Sequence, residues 1–260
     1  MQLMLDVDEH HWWYRGRRRI IRAELDRLAL APHARILDAG CGSGRTLKEL
    51  ADYGEVCGIE LNPQAAEVAR GRSLGDVRIG RLEELPWDDA TFDLVTCLDV
   101  LEHTPDDRLT LRELRRVVKP GGRMLVTVPA YEALWSTHDE VNHHFRRYAR
   151  PMLRSAATDA GWRVERMTSF NCLLLAPAAA VRISQRRRRR RSGAPHIPEL
   201  QLAPAWLNGV LERPLRIEAR WLAQGRTLPA GLSLLAVLAN PRVEATGGVA
   251  LTGACGGRAG

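Results

Sequence analysis

The sequence predicts an α/β fold, a doubly wound and mostly parallel sheet with helices on both faces. Three observations carry that prediction. Short apolar segments of strand length alternate with helix-compatible segments from Arg35 to Val128, the pattern of a parallel sheet with helical crossovers. The stretch Ile36-Leu37-Asp38-Ala39-Gly40-Cys41-Gly42-Ser43-Gly44 reads as a buried strand running into a tight glycine turn. Arg45-Thr46-Leu47-Lys48-Glu49-Leu50 then follows as a helix start. Glycine lacks a Cβ and tolerates positive φ, so such a turn lets a ligand approach bare backbone, and the helix N-terminus adds free N–H groups.

Length and composition set outer bounds. The chain has 260 residues, 45% hydrophobic and 27% charged, enough for one α/β domain with an elaboration. Its five cysteines form an odd set without a C-x-x-C pair. This argues against a disulfide framework and against a zinc knuckle, and predicts a reducing cytoplasm. The N-terminus is acidic and then aromatic, unlike a secretory signal. The net charge of +7 comes almost entirely from arginine and permits anionic partners without selecting one.

The elements follow in order. Residues 9–30 form one helix, with Ile20, Ile21, Leu25 and Leu28 at helical spacing and Pro32 closing it. Arg35–Ala39 is the first strand and Thr46–Tyr53 its helix. Val56–Glu60 and Pro63–Arg70 make the second unit, and Val77–Gly80 a short third strand. Phe92–Leu98 is the fourth strand, followed by a helix over Asp107–Val118. Lys119-Pro120-Gly121-Gly122 is a turn, and Arg123–Val128 the fifth strand. Residues 131–150, rich in His, Arg and aromatics, read as a loop. Pro151–Ala160 is a short helix ended by Gly161, and Trp162–Phe170 alternates as a strand. Residues 172–228 fit no simple αβ unit and read as a largely helical insertion, before a last strand at Gly231–Ala239. A Gly- and Ala-rich tail from 241 is expected to be disordered. The predicted organisation is an N-terminal lid helix (1–30), a core (31–171), the basic insertion (172–228), the last core strand (229–240) and the tail (241–260).

The turn is G-x-G-x-G, not the G-x-G-x-x-G of dinucleotide enzymes. Glu60 ends the second strand twenty positions after Gly40, where an acid in doubly wound sheets accepts hydrogen bonds from ribose hydroxyls. Leu85-Pro86-Trp87 follows the third strand and Val100-Leu101-Glu102-His103 the fourth. In this combination and order, these residues resemble the class I S-adenosylmethionine-dependent methyltransferases, whose fold is Rossmann-like. The likeness is nearest to the broad small-molecule group that includes the ubiquinone and menaquinone methyltransferases, and it covers about residues 30–130.

The resemblance implies a cofactor, S-adenosylmethionine, and roles for named residues. Asp38, Gly40 and Gly42 hold its methionine end, within a turn completed by Cys41 and Gly44. Glu60 binds the ribose hydroxyls, and Leu61 packs on adenine. The Leu82 backbone amide meets the adenine edge, and Leu98 and Asp99 lie beside the sulfonium. Tyr14 and Trp13 are lid candidates, because related enzymes cover the pocket with an N-terminal helix and aromatic faces attract cations. One departure concerns adenine: many relatives carry Asp where this chain has Arg81, and arginine cannot accept the adenine amino hydrogen bond.

A hydroxyl or ammonium acceptor usually needs a base nearby. His103, just past the fourth strand, is one candidate, although the same position suits helix capping and packing. His143 and His144 are the others, in the block His143-His144-Phe145-Arg146-Arg147-Tyr148. There Arg146, Arg147 and Tyr148 are candidates to bind an acidic acceptor, or equally to stitch the loop to the core. The spacing of His138, Asp139 and His143 matches no familiar metal-ligand pattern, so no metal is expected.

Arg186–Arg191 is a run of six arginines downstream of an apolar segment. That pairing is the pattern of a peripheral anchor on anionic lipid, at the inner membrane surface, as well as of a solvated loop. Nucleic acid is a less favoured partner: no N-P-P-Y-like turn follows the fourth strand, where the chain reads Leu98-Asp99-Val100-Leu101. The expected function is methyl transfer from S-adenosylmethionine to a small, hydrophobic or lipid-like acceptor. The alternative is a non-catalytic cofactor-binding module targeted by its arginines. Oligomeric state is not legible.

Overall fold

The computed structural model describes residues 11–192 and 205–242. Residues 1–10 of the predicted lid and 243–260 of the predicted tail lie outside the described residues, as do the side chains of Arg186–Arg191 and Trp206.

The elements, in chain order, are α1 (Trp12–Leu28), β1 (Ala34–Ala39), α2 (Arg45–Leu50), β2 (Gly54–Glu60), α3 (Pro63–Arg70), β3 (Gly75–Ile79) and β4 (Phe92–Leu98). There follow α4 (Asp107–Val117), β5 (Val118–Pro129), α5 (Thr137–Val141), α6 (Arg150–Asp159), β6 (Arg163–Phe170), α7 (Leu175–Ser192), α8 (Ala205–Ala223) and β7 (Ser233–Ala239). One seven-stranded sheet runs β3-β2-β1-β4-β5-β7-β6. The pairs from β3 through β5 are parallel, and β7 is antiparallel to both β5 and β6. The order reverses between β1 and β4. That is the topological switch point where open α/β sheets bind ligands, at the carboxyl ends of the strands.

Helix starts follow local chemistry. The Asn62 side chain accepts from the Gln64 and Ala65 amides, with Pro63 at the first helical position. The Asp106 carboxylate accepts from the Leu109 amide at the start of α4. Both are N-caps of the expected kind. The strands alternate between two apolar layers. In β1, Leu37 joins the layer with Leu111, Leu114, Tyr148 and Trp162, while Ile36 joins the layer with Ile20, Leu25, Leu215 and Leu222. The sheet is therefore buried on both faces, as parallel sheets are.

The N-terminal helix and the segment between β6 and β7 form one layer. α1 packs on α8, and Gly16 makes the close approach possible: a Cβ there would stand 2.3 Å from Leu215 Cδ1. Buried Glu212 of α8 takes Arg15 at 3.2 Å and Arg19 at 2.9 Å from α1. Arg166 of β6 reaches buried Glu24 at 3.1 Å. Several arginines that interrupt the apolar stripe of α1 are thus inter-element partners.

Three expectations need correction. Lys119–Gly122 is part of β5, not a separate turn. It bulges out of the β4 pairing, where Phe92 faces Val118 and Leu94 faces Arg123, and Gly121 at φ 84° makes the bend. Residues 131–150 hold a 3-10 turn at Glu132–Leu134 and the short helix α5, which the search for apolar periodicity passed over. Third, α2 ends at Leu50, three residues short of the predicted Tyr53.

Candidate active site

The glycine turn links β1 to α2 with Gly40, Gly42 and Gly44 all at positive φ. Two of them carry distinct constraints. At Gly40 (φ 79°) a Cβ would meet Val100 Cγ2 at 2.6 Å. At Gly42 (φ 54°) a Cβ would meet nothing within 4 Å, so the backbone there faces open space. The Gly42 amide donates to Glu60 Oε2 at 2.9 Å, and the Asn62 amide to Glu60 Oε1 at 2.8 Å. Glu60 is thereby fixed beside the open turn. Leu61 next to it is 62% exposed, an apolar side chain largely open to solvent.

Asp38 is buried under this turn, where Thr96 Oγ1 donates to its Oδ1 at 2.6 Å. Burial pushes its carboxyl up to about 6, the Thr96 hydrogen bond and the Arg17 charge pull it down, and Glu60 adds to the rise. Asp99 follows β4 at φ 56°, a conformation unusual for a non-glycine residue. Its Oδ2 lies 2.7 Å from Arg17 Nε of α1. Arg17 also stacks on Trp13, 5.4 Å from the ring centroid, and Tyr14 meets Trp13 edge-on at 4.9 Å. The N-terminal helix α1 thus reaches the strand-four end through Arg17, a contact the sequence did not suggest. Leu82 and Leu98 are both buried, and Cys41 packs against the α2 side of the turn. Arg81 pairs with Glu83 at 3.5 Å, so neither the expected acid nor a free carboxylate stands at that position.

The histidine block sits on the next strand end. Asp139 of α5 is fully buried and accepts from five donors: Ser136 N and Oγ, His144 Nδ1 at 2.9 Å, and Arg147 Nε and Nη2 at 2.8 and 3.0 Å. Burial alone would raise its carboxyl, but the hydrogen bonds from His144 and Arg147 outweigh it and hold it well below the usual range. An ionised carboxylate only accepts, so His144 carries its proton on Nδ1 and, when neutral, leaves Nε2 with a lone pair. The His144 ring stands edge-on to His103 with centroids 4.6 Å apart. Partial burial of the His103 ring, and the nearby His144, lower the His103 pKa. Glu102, Oε2 of which is buried and unpartnered, completes a group whose ligand-capable atoms lie within 4.8 Å of one another. Burial and then the charge of Asp99 raise the Glu102 carboxyl well above its usual value. Such a trio suits proton handling, and its donor types also suit a divalent cation.

Of the two readings of Arg146, Arg147 and Tyr148, the contacts favour the stitching of the loop to the core. Arg147 is buried on Asp139, and Tyr148 is buried with its hydroxyl donating to Asp107 Oδ2 at 2.9 Å. Arg146 pairs with the same Asp107 at 3.2 Å and donates to the Pro105 carbonyl. These three stitch the loop to α4 and to itself, because their polar atoms are already satisfied inside the protein. His143 is exposed at φ 54° and is not part of the group that Glu102, His103 and His144 form.

The strand order and the glycine turn define a class I S-adenosylmethionine-dependent methyltransferase fold. Residues 37–126 match the family model described as a methyltransferase domain, and that segment is such a domain. A ubiquinone biosynthesis O-methyltransferase of Xanthomonas axonopodis pv. citri is 34% identical over 152 residues, which cover 51% of this chain and 64% of the relative. The chain thus spans just under two thirds of the length of that curated relative. Among solved structures, the [4+2]-cyclase SpnF superposes with a TM-score of 0.59 at 20% identity, over 88% of this chain and 84% of that one. Haemonchus contortus phosphoethanolamine N-methyltransferase 2, in complex with S-adenosyl-L-methionine, superposes with a TM-score of 0.55 at 16% identity, over 85% of this chain and 52% of that one. At these identities the superpositions speak for the fold alone.

Proposed function

We propose that this chain transfers a methyl group from S-adenosylmethionine to a small-molecule acceptor. The observation that carries the reading is the open glycine turn flanked by Glu60, Asp38 and Asp99 at the switch point of the sheet. The residues fit that cofactor. Glu60 offers two carboxylate oxygens for vicinal hydroxyls, Leu61 an uncovered apolar face for a planar base, and Asp38 a carboxylate for an ammonium. When bound, S-adenosylmethionine supplies an electrophilic methyl group on a sulfonium.

The protein aligns donor and acceptor, and such alignment contributes about 7–11 kcal/mol in well-oriented reactions. The lid helix, latched through Arg17, excludes water from the site. Nε2 of His144 takes a proton from the acceptor, with Asp139 holding the imidazole in the required tautomer, as in other carboxylate–histidine couples. Resemblance to ubiquinone biosynthesis O-methyltransferases favours a hydroxyl acceptor on a hydrophobic or lipid-like body. The match to a methyltransferase domain does not favour the non-catalytic alternative. Incubation of acceptor-containing extracts with labelled cofactor tests the reading; cofactor binding without any labelled product rejects it.

Peripheral association with anionic lipid is part of the same proposal. Leu173, Val181, Val210, Ile217 and Trp221 are exposed apolar residues on or beside α7 and α8, on the segment that carries Arg186–Arg191. Among the described residues no helix is long and apolar enough to cross a membrane. Replacing Arg186–Arg191 with serine should abolish cosedimentation with phosphatidylglycerol vesicles; undiminished binding removes the run as the anchor.

A further inference from the structure

We propose that Arg182 forms a subsite for an anionic group, a carboxylate or a phosphate, carried by the acceptor beside the atom that is methylated. The description of the ligand as an acceptor rests on the methyl-transfer reading above; the anion site itself does not.

Arg182 belongs to α7, yet its guanidinium turns inward and Nη1 donates to the Leu134 carbonyl at 2.9 Å. That uses one of its five N–H donors. Among the described residues no carboxylate forms an ion pair with Arg182. The acid in its field is Asp139, which already accepts from Arg147, His144 and Ser136. Two guanidinium groups therefore share one saturated carboxylate in a partly buried place. His138, which feels the charges of Asp139, His144, Arg182 and Arg147, supplies no negative charge. Burial and then the charge of Arg147 lower the Arg182 pKa to about 10, so it remains a cation at neutral pH. A partly desolvated cation to which the described residues supply no free counter-charge is unfavourable, and a bound anion relieves it through two parallel N–H···O bonds.

Position links this cation to the chemistry. The His138 ring lies 6.1 Å from that of His144, which in turn lies 4.6 Å from His103. An anion on Arg182 is thus held on the His138 side of the proposed base. The sequence offered Arg146 and Arg147 as the clamp for an acidic acceptor. Both are consumed by Asp107 and Asp139, and the open cation comes instead from the segment between β6 and β7.

The test uses the full chain saturated with S-adenosylhomocysteine. The His138 and His144 ring resonances are followed by NMR while benzoate, benzamide or inorganic phosphate is added. We expect saturable shifts with benzoate or phosphate, at least tenfold weaker binding of the neutral benzamide, and at least tenfold weaker anion binding in Arg182→Gln, with partial recovery in Arg182→Lys. Preference for benzoate assigns a carboxylate, and preference for phosphate a phosphoryl group. Equal binding of benzoate and benzamide, anion binding unchanged in Arg182→Gln, or no saturable shift with either anion overturns the proposal. Methylation of extract components is scored separately, so loss of the methyl-transfer reading and loss of the anion site give different results.

Discussion

The Nε of Arg17 lies 2.7 Å from Oδ2 of Asp99, joining the N-terminal helix to the end of the fourth strand. Arg17 also lowers the pKa of buried Asp38 beneath the glycine turn. One guanidinium of α1 therefore pairs with one acid of the candidate cofactor site and acts electrostatically on a second. Replacing it with Met keeps the stem that packs near Trp13 and removes the latch. The contact is an ion pair outside hydrogen-bond geometry, and a close, largely desolvated charge pair contributes about 1.5 kcal/mol or more. Cofactor dissociation from Arg17→Met should therefore be about tenfold faster in stopped-flow measurements, and an unchanged rate would show that α1 does not gate the site.

Glu60 is pre-positioned by the Gly42 and Asn62 amides. Glu60→Ala should weaken S-adenosylmethionine at least tenfold by calorimetry, given about 1.5–3 kcal/mol for a charge-assisted hydrogen bond. Wild-type affinity in that variant would sink the ribose assignment.

Asp38 predicts a pH dependence. Its carboxyl stands at about 6 in the folded chain, against an ordinary value of 3.8. The folded state therefore holds this proton more tightly than the unfolded chain does. The stability from this group is complete below about 3.8 and is lost as pH rises through about 6. Asp38→Asn removes the effect, so its stability relative to wild type should rise across that window in urea titrations. Cofactor affinity should run the opposite way in the wild type. Only the ionised carboxylate attracts the cofactor's ammonium, so affinity increases with pH up to about 6 and then levels off. A flat affinity profile from pH 5 to 7.5 would contradict the assignment of Asp38 to the cation.

His144 and Asp139 should act as a unit. His144→Gln is expected to lower kcat by about 10²–10⁴, the usual contribution of a general base, with cofactor affinity retained. Asp139→Asn should lower kcat as well and reshape the pH–rate profile, because an amide can also donate and no longer enforces the Nδ1–H tautomer. Circular dichroism separates this from unfolding, which is a real hazard at a buried acid with five donors. An unaltered pH–rate profile in a folded Asp139→Asn protein would leave Asp139 a purely structural residue.

Much of the fold was readable because its signals are local. Pro63–Arg70 and Phe92–Leu98 emerge with the boundaries read from the sequence, since a proline at a helix start and a largely apolar strand are local signals. α5 was missed because it is held by polar contacts to Asp139 rather than by an apolar stripe. The grouping of Asp38, Gly40, Gly42 and Glu60 was legible for the same local reason: they lie on two neighbouring strand ends, where a sheet brings them together by rule.

By itself, then, the sequence determined the sheet, the glycine turn and the acid twenty residues beyond Gly40, because backbone conformation and apolar period are written residue by residue. Tertiary structure decided which charges are free. It buried Arg147 on Asp139, paired Arg146 with Asp107, set Arg17 against Asp99, and left Arg182 without a carboxylate partner among the described residues. It also laid α8 on α1, so that Trp12 donates to Asn208 across 196 positions of chain. No local pattern encodes such pairings: an arginine reads the same in sequence whether a distant fold satisfies it or leaves it open to a ligand.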